Sequence, residues 1–323
     1  MILVTGGLGF IGSHTARALT DLGETCVLTR HSNAEIPPVL AGIVGPGAAV
    51  VERVDIEDTE ALIALGEAHD ITGIVHLADP AVARVMGSAT SAGAMQFATL
   101  FRGLGSVLDA ARIWKVKRVT LVSTIGVYMG AGDGPWREDM PLTVGSSHGI
   151  PVMKKVTETL AGFASQETGV PIVCVRPSGI WGPGGRNSSR IFALPGLVHT
   201  AVHPDTATPD QFSRFRDDDA GDLCYVKDCA HAIALIHTAR HLNHATYNIG
   251  GGRAFTNGEV VASLGAVVPG FAIQLSPGKT PGHPQDPYLD LTRLRNDTGF
   301  KPTHSLETGI HEYVSWLQEG NVR

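Results

Sequence analysis

Cysteine is scarce: Cys26, Cys174, Cys224 and Cys229 are the only 4 in 323 residues, and they form no Cys-x-x-Cys pair. That is too few for a disulfide framework in a chain of this length, and a reducing cytoplasm is the expected compartment. Positive charge is in deficit, with 25 Lys and Arg against 31 Asp and Glu and a net charge of −6. No global positive field draws in nucleic acid or anionic lipid, so neither partner is expected. Long apolar runs are absent, since none reaches the roughly 18 residues that a bilayer crossing requires. The apolar start, Met1 to Ile11, has no basic flank and is broken by Gly6, Gly7 and Gly9, unlike an export signal. Internal repeats and Gly/Ser-rich linkers are also missing, which excludes a solenoid and a string of tethered domains. With 43% hydrophobic and 17% charged residues, the chain has what a full-sized core needs.

Short β-branched runs alternate with helical patterns. Ile2 to Thr5, Cys26 to Arg30, Val50 to Val54, Gly73 to Leu77, Arg118 to Ser123 and Ile172 to Arg176 read as strands buried on both faces. Ile11 to Leu22, Asp58 to His69, Met95 to Trp114 and Pro151 to Thr168 carry apolar residues at three- and four-residue spacing and read as helices. This βαβ series predicts an α/β fold with a mostly parallel, doubly wound sheet. After Arg176 the rhythm breaks. Residues 177–222 hold turn clusters such as Gly182-Pro183-Gly184-Gly185, and Pro269 to Pro287 is again irregular. A division follows: residues 1–176 with return segments near 223–250, and a smaller C-terminal substrate-binding lobe from 177–323, interleaved with them.

Gly6, Gly9 and Gly12 stand in Gly-x-x-Gly-x-x-Gly spacing directly after the first strand and at the opening of the first helix. Glycine permits the tight turn and the close approach of a pyrophosphate, while the first helical N–H groups, those of Phe10, Ile11 and Gly12, face the anion. The triplet therefore predicts dinucleotide binding. The second strand ends Val27-Leu28-Thr29-Arg30, without the acidic residue that holds a free ribose 2′-hydroxyl. Arg30 suits a 2′-phosphate, which points to NADP, with NAD as the alternative and a solvated strand end as the plain reading of Arg30.

At this point the chain resembles the extended short-chain dehydrogenase/reductases, the NAD(P)-dependent epimerase/dehydratase group, nearly end to end. Asp55-Ile56 is similar to that family's adenine-contacting pair, and His76-Leu77-Ala78 to its fourth-strand ending beside the cofactor. Val122-Ser123-Thr124-Ile125-Gly126-Val127-Tyr128 is similar to its fifth-strand signature, with Thr124 at the catalytic Ser/Thr position. Arg176-Pro177-Ser178-Gly179-Ile180-Trp181-Gly182-Pro183 resembles the passage into the substrate lobe, with Pro177 beside the cofactor. Tyr225-Val226-Lys227-Asp228, Tyr247-Asn248-Ile249-Gly250 and Gly299-Phe300-Lys301-Pro302 complete the pattern. The resemblance implies a Rossmann sheet, hydride transfer, and often a homodimer built from the helices at Met95 to Trp114 and Pro151 to Thr168. Phe97, Phe101, Leu104 and Leu108 suit either that interface or the core.

In the family, a Tyr-x-x-x-Lys pair supplies a phenol that exchanges a proton with the substrate oxygen and a lysine that binds the nicotinamide ribose. Counting back from Glu158, Lys154 falls at the lysine and Ile150 at the tyrosine. The proton donor is missing. His148 is the nearest titratable side chain in sequence and the candidate substitute, against the plain reading of an exposed loop histidine. Tyr128 and Asp79 are further candidates. For Thr124 the plain reading is a strand-end hydroxyl capping the next turn.

Sugar-nucleotide members commonly place an arginine just before the aspartate that here is Asp222, where this chain has Gly221; a second arginine before Asp290 also lacks a clear counterpart, leaving only Lys279 and His283. Arg186, Arg190, Arg214 and Arg216 lie in the lobe and suit some other anion. Asp217-Asp218-Asp219 lacks ligand spacing, and His237 and His241, though four apart, have no completing Cys or acid, so no metal is expected. The expected function is an NAD(P)-dependent oxidoreductase moving hydride to or from a secondary alcohol or ketone of a small substrate. Two alternatives stay open: a sugar-nucleotide epimerase or dehydratase, and a non-catalytic dinucleotide-binding protein.

Overall fold

A computed structural model of the chain describes residues 1–31, 35–45, 47–78, 94–146, 148–189, 191–208 and 210–321, the side chains of 94–100 excepted. The order is β1 (Ile2–Thr5), α1 (Phe10–Asp21), β2 (Cys26–Arg30), β3 (Ala49–Arg53), α2 (Thr59–Ala68), β4 (Gly73–His76), α3 (Ala94–Trp114), β5 (Val119–Val122), α4 (Gly149–Thr168), β6 (Ile172–Pro177) and β7 (Gly179–Trp181). There follow α5 (Leu194–Val202), β8 (Ala220–Tyr225), α6 (Val226–Thr238), β9 (Thr246–Ile249), β10 (Ala254–Thr256), α7 (Asn257–Val267), α8 (Thr292–Thr298) and α9 (Leu306–Gln318). The expected strands and helices are all present, with ends displaced by a residue or two, the scale on which helix and strand ends fray. The expected scarcity of regular structure in 177–222 is corrected by β7, α5 and the start of β8.

Seven strands form one sheet in the order β3-β2-β1-β4-β5-β6-β9, every pair parallel. The chain turns back between β1 and β4, where Thr5 and His76 finish side by side. Ligands of such sheets bind beyond the carboxyl ends at this crevice. The strand residues alternate between two cores, as the two-residue period of a strand demands. Val4, Leu28, Val75 and Val175 pack on one face, and Leu3, Val27, Ile74 and Cys174 on the other. Both faces of the sheet are buried, which is why these strands read as largely apolar runs.

A smaller mixed sheet, β10-β8-β7, has β8 parallel to β7 and antiparallel to β10. Its own core gathers Trp181, Leu194, Leu197, Leu223, Leu264, Ile310 and Tyr313. Capping boxes open the two long helices here, Thr256 with Glu259 on α7 and Ser305 with Thr308 on α9. Cys26, Cys174, Cys224 and Cys229 are all buried and free. No helix among the described residues is long and apolar enough to cross a membrane.

Candidate active site

The loop from β1 into α1 is built around backbone that admits no side chain. Gly6 has φ +68, and a Cβ on it would stand 3.1 Å from the Ala78 nitrogen. A Cβ on Gly12 would stand 2.2 Å from the Gly6 carbonyl oxygen, so the first turn of α1 lies directly on the loop. The Gly9 N–H closes the turn on Gly6 O at 2.8 Å, and the Gly6 N–H donates to Thr29 Oγ1 at 3.2 Å. Gly9 is the N-cap of α1 and offers no side chain to its first-turn N–H groups. The result is a concave, donor-lined cradle at a helix N-terminus, and it fits the pyrophosphate of a dinucleotide. The end of β4 is fastened beside it: the N–H groups of Leu77 and Ala78 both donate to Thr5 Oγ1 at 3.1 Å. With both donors spent on it, the Thr5 hydroxyl gives its own hydrogen to His76 Nδ1, 2.7 Å away.

At the far end of β2, Arg30 is half-buried and in register with Arg53 on β3, so the two side chains leave the same face. Asp55 follows β3; its Oδ1 accepts from Glu57 N at 2.9 Å and its Oδ2 lies 3.4 Å from His31 Nε2. Ile56 is buried. A cavity of ≈ 450 Å³ opens against Gly9, Phe10, His14, Pro183 and Lys227. His14 hydrogen-bonds Pro183 O at 3.0 Å, and burial pushes it down to about 4, so at neutral pH the imidazole is uncharged and donates. A larger cavity of ≈ 810 Å³, lined by Arg253, Arg295, His304 and their neighbours, shares none of the predicted site residues.

Helix α4 carries Ile150, Lys154 and Glu158 at four-residue spacing, hence on one face. Lys154 Nζ donates to the Val122 carbonyl at 2.8 Å, which fixes the ammonium at the end of β5, two residues before Thr124. Thr124 Oγ1 accepts from Gly126 N at 3.1 Å, capping the turn Ile125–Tyr128. This is the plain capping bond expected of a strand-end hydroxyl, and it leaves the hydroxyl hydrogen for another acceptor. Ile150 is half-buried in the first turn of α4. His148 is the exposed N-cap of that helix and makes no side-chain capping bond. Asp79 and Arg190 lie outside the described residues.

Tyr128 faces the interior. It is 1% exposed, stacks on Trp136 at 5.9 Å, accepts from Arg176 Nη1 at 2.7 Å and donates to Asn248 Oδ1 at 2.9 Å. Burial pushes its phenol up to about 12. Arg176 is gripped in turn by Glu158, with Nε–Oε1 at 3.0 Å and Nη2–Oε2 at 2.6 Å, and Glu158 also accepts from Ser123 Oγ. Asn248 N donates to Glu138 Oε1 at 2.8 Å, and Arg293 approaches Glu138 at 3.6 Å. A buried polar chain thus runs from Ser123 to residues 138 and 293. Sequence reasoning used Glu158 only as a counting mark, although its place four residues after Lys154 on the same face was the available signal.

In the lobe, Asp219 accepts from Thr280 N at 2.8 Å and Thr280 Oγ1 at 2.7 Å, with His283 Nδ1 at 3.7 Å. Arg216 is spent on Pro277 O at 2.7 Å, while Arg186 and Arg214 are exposed. A Cβ on Gly221 would meet nothing within 4 Å. Asp222 accepts from Gly251 N at 2.7 Å and Leu289 N at 2.9 Å, and its burial raises it to about 6. No group of three His, Cys, Asp or Glu able to hold a metal occurs among the described residues.

Comparison with known proteins decides the family. The family model described as NAD dependent epimerase/dehydratase matches residues 2–250. The chain belongs to this family. The epimerase/dehydratase relatives include a UDP-glucose 4-epimerase from Azospirillum brasilense, 27% identical, with 98% of this chain and 91% of that one covered. A dTDP-4-dehydro-6-deoxy-D-allose reductase from Streptomyces bikiniensis is 26% identical, with 98% and 96% covered. Among solved structures, a dTDP-glucose 4,6-dehydratase from Bacillus anthracis in complex with NAD superposes with a TM-score of 0.77 at 20% identity, covering 98% of this chain and 96% of that one. The family description and that complex both name NAD, and neither supports the NADP preference drawn from Arg30.

Proposed function

We propose that this chain holds a nicotinamide dinucleotide on the loop between β1 and α1 and moves hydride to or from a secondary alcohol or ketone of a nucleotide-linked sugar. The observation that carries the reading is the glycine cradle together with Lys154, whose ammonium is anchored at the end of β5. Gly6, Gly9, Phe10, Ile11 and Gly12 hold the pyrophosphate, Asp55 and Ile56 the adenine, and Leu77, Ala78, Pro177 and Lys154 the path to the nicotinamide. The bound dinucleotide supplies or accepts the hydride. Thr124 holds the substrate oxygen through its hydroxyl, and residues 177–323, apart from the return through α6 and β9, form the substrate lobe. The sugar-nucleotide assignment draws on the epimerase and reductase relatives. With glycine at 221 and Asp219 occupying Thr280, the diphosphate grip falls to Arg186 or Arg214. Calorimetric titration with NAD, NADH, NADP and NADPH tests the reading, and no heat from any of the four removes it.

Arg30 decides between the two cofactors. A guanidinium on a 2′-phosphate is a charge-assisted contact, so Arg30→Ala is expected to weaken NADP about tenfold and to leave NAD within about threefold, read from the calorimetric Kd values. Equal losses for both would make Arg30 a support of the strand end alone. Ile150 favours a second reading, a dinucleotide-binding protein without turnover. Turnover that arises only in Ile150→Tyr would establish it.

Self-association through α3 and α4 belongs to the same proposal. Leu104 is buried in the core, but Phe101 is 45% exposed on α3 and Leu160 and Phe163 are 37% and 61% exposed on α4. Phe97 has no described side chain. A charge in place of such an aromatic leaves no apolar contact to make, so Phe163→Glu is expected to convert the dimer to monomer in analytical ultracentrifugation.

A further inference from the structure

We infer that the cavity of ≈ 810 Å³ in the lobe is a binding site for a nucleoside phosphate, separate from the dinucleotide cradle. It lies between the turn from β9 to β10, one face of α7, and the openings of α8 and α9, and it shares no residue with the dinucleotide path or with Thr124. Small-molecule pockets are of this size, about 300–1,000 Å³. Two arginines give it its character. The Arg253 guanidinium lies over the Phe255 ring, 3.6 Å from its centre, and Nη1 fixes it there by donating to Ala254 O and Glu259 Oε1, both at 2.9 Å. The Arg253 side chain is 53% exposed, so the face turned from the ring is open. A nucleobase stacks on a guanidinium plane as it does on an aromatic ring. The Arg295 guanidinium rests against the turn, where a Cβ on Gly252 would stand 3.2 Å from Nη2; Gly252, at φ +84, has none. Arg295 makes no side-chain hydrogen bond or ion pair among the described residues, although Glu307 lines the same cavity. Its planar fork of five N–H donors suits a phosphate.

The remaining charges decide what kind of ligand fits. Glu259 is engaged on both oxygens, Oε1 by Arg253 and Oε2 by Thr256 N at 2.7 Å. His304 is turned to Asp228, with Nδ1 at 3.0 Å from Oδ1. Arg295 and Glu307 are left, opposite in sign, and Glu307 is exposed, where water and salt screen its repulsion of an anion. A phosphate alone meets one unspent cation and an opposing carboxylate, and is held weakly. A planar base on Arg253 adds what the phosphate lacks, since stacking a single base contributes about tenfold in affinity or more. The ligand therefore carries both parts. A free nucleoside monophosphate and the nucleotide end of a nucleotide sugar share this chemistry.

The test titrates the full chain, with NAD in excess so that the cradle is filled, with UMP, UDP-glucose, uridine and inorganic phosphate in a calorimeter. The nucleotide is expected to bind at least about tenfold more tightly than uridine or phosphate alone. Arg295→Gln is expected to weaken it about 10- to 100-fold, the loss of a charge-assisted contact, and Arg253→Ala about tenfold. Glu307→Gln removes the opposing charge and is expected to tighten binding about two- to threefold. All three side chains are exposed, so these substitutions leave the core as it is. Whichever of UMP and UDP-glucose loses affinity in both arginine variants is the occupant, and binding at any other place in the molecule stays unchanged in them. No heat from either nucleotide, affinities for both that are indifferent to Arg295→Gln and Arg253→Ala, or phosphate alone binding as tightly as the nucleotide overturns the site. None of these results touches the dinucleotide titration of the wild type, on which the hydride-transfer reading stands.

Discussion

Gly12→Ala is expected to abolish measurable dinucleotide binding while the sheet stays folded. The new Cβ would lie 2.2 Å from the Gly6 oxygen and 2.9 Å from its carbonyl carbon, both backbone atoms that no rotamer change can move aside. Relief requires the loop to swing away from α1. Gly6 is tied to Thr29 on β2 and to Gly9, so the movement breaks the turn that gives the cradle its shape. A loss of at least about 100-fold in Kd, about 2.7 kcal/mol, is expected by calorimetry. Gly105→Ala is the control. It lies in the interior of α3, where a Cβ meets nothing within 4 Å; affinity should be unchanged, and removing the backbone freedom of a helical glycine should stabilise by roughly 0.5–1 kcal/mol. Affinity retained in Gly12→Ala would take the loop out of the binding site.

The same contacts explain why the first half of the chain was readable from its residues. Strands buried on both faces have no polar face to preserve, so β1 and β2 open on the unbroken apolar runs Ile2 to Val4 and Cys26 to Leu28. In the lobe the signals are mixed. Helix α5 holds Pro195 and Gly196 within nine residues, which weakens its helical pattern, yet the proline sits in its opening turn, where a missing N–H costs nothing. Strand β10 has only three residues and gains its place from pairing with β8, a contact no local pattern announces.

The site divides along the same line. Gly6, Gly9 and Gly12 carry their role in their spacing, because the constraint on each is local backbone geometry. Lys154 was readable only through the resemblance, which sets a lysine four residues after the position that Ile150 fills. Tyr128 was not: its sequence neighbours suggest an active-site phenol, while its environment is set by Arg176 and Asn248, 48 and 120 residues away. Contacts of that range are properties of the folded sheet, and they decide whether a hydroxyl faces a ligand or the core.

The buried chain that claims Tyr128 carries the second large effect. Glu158→Ala is expected to destabilise the protein by about 3–5 kcal/mol, seen as a fall in the urea midpoint, because it strands a guanidinium out of reach of water. The side chains of Arg176 and Glu158 are only 6% and 10% exposed, so solvent screens their attraction little. Burial works against the Arg176 charge, and the Glu158 carboxylate outweighs it, holding the guanidinium above its ordinary value. Replacing both partners, Glu158→Leu with Arg176→Met, removes the stranded charge as well as the attraction, so the double variant should lose distinctly less than the sum of the single losses. The remainder has a particular source. Arg176→Met deprives Tyr128 of its donor, and Glu158→Leu deprives Ser123 of its acceptor, one residue from Thr124. Additive single losses in this cycle would mean that the pair exerts no mutual hold, and that the end of β5 is fixed by the sheet alone.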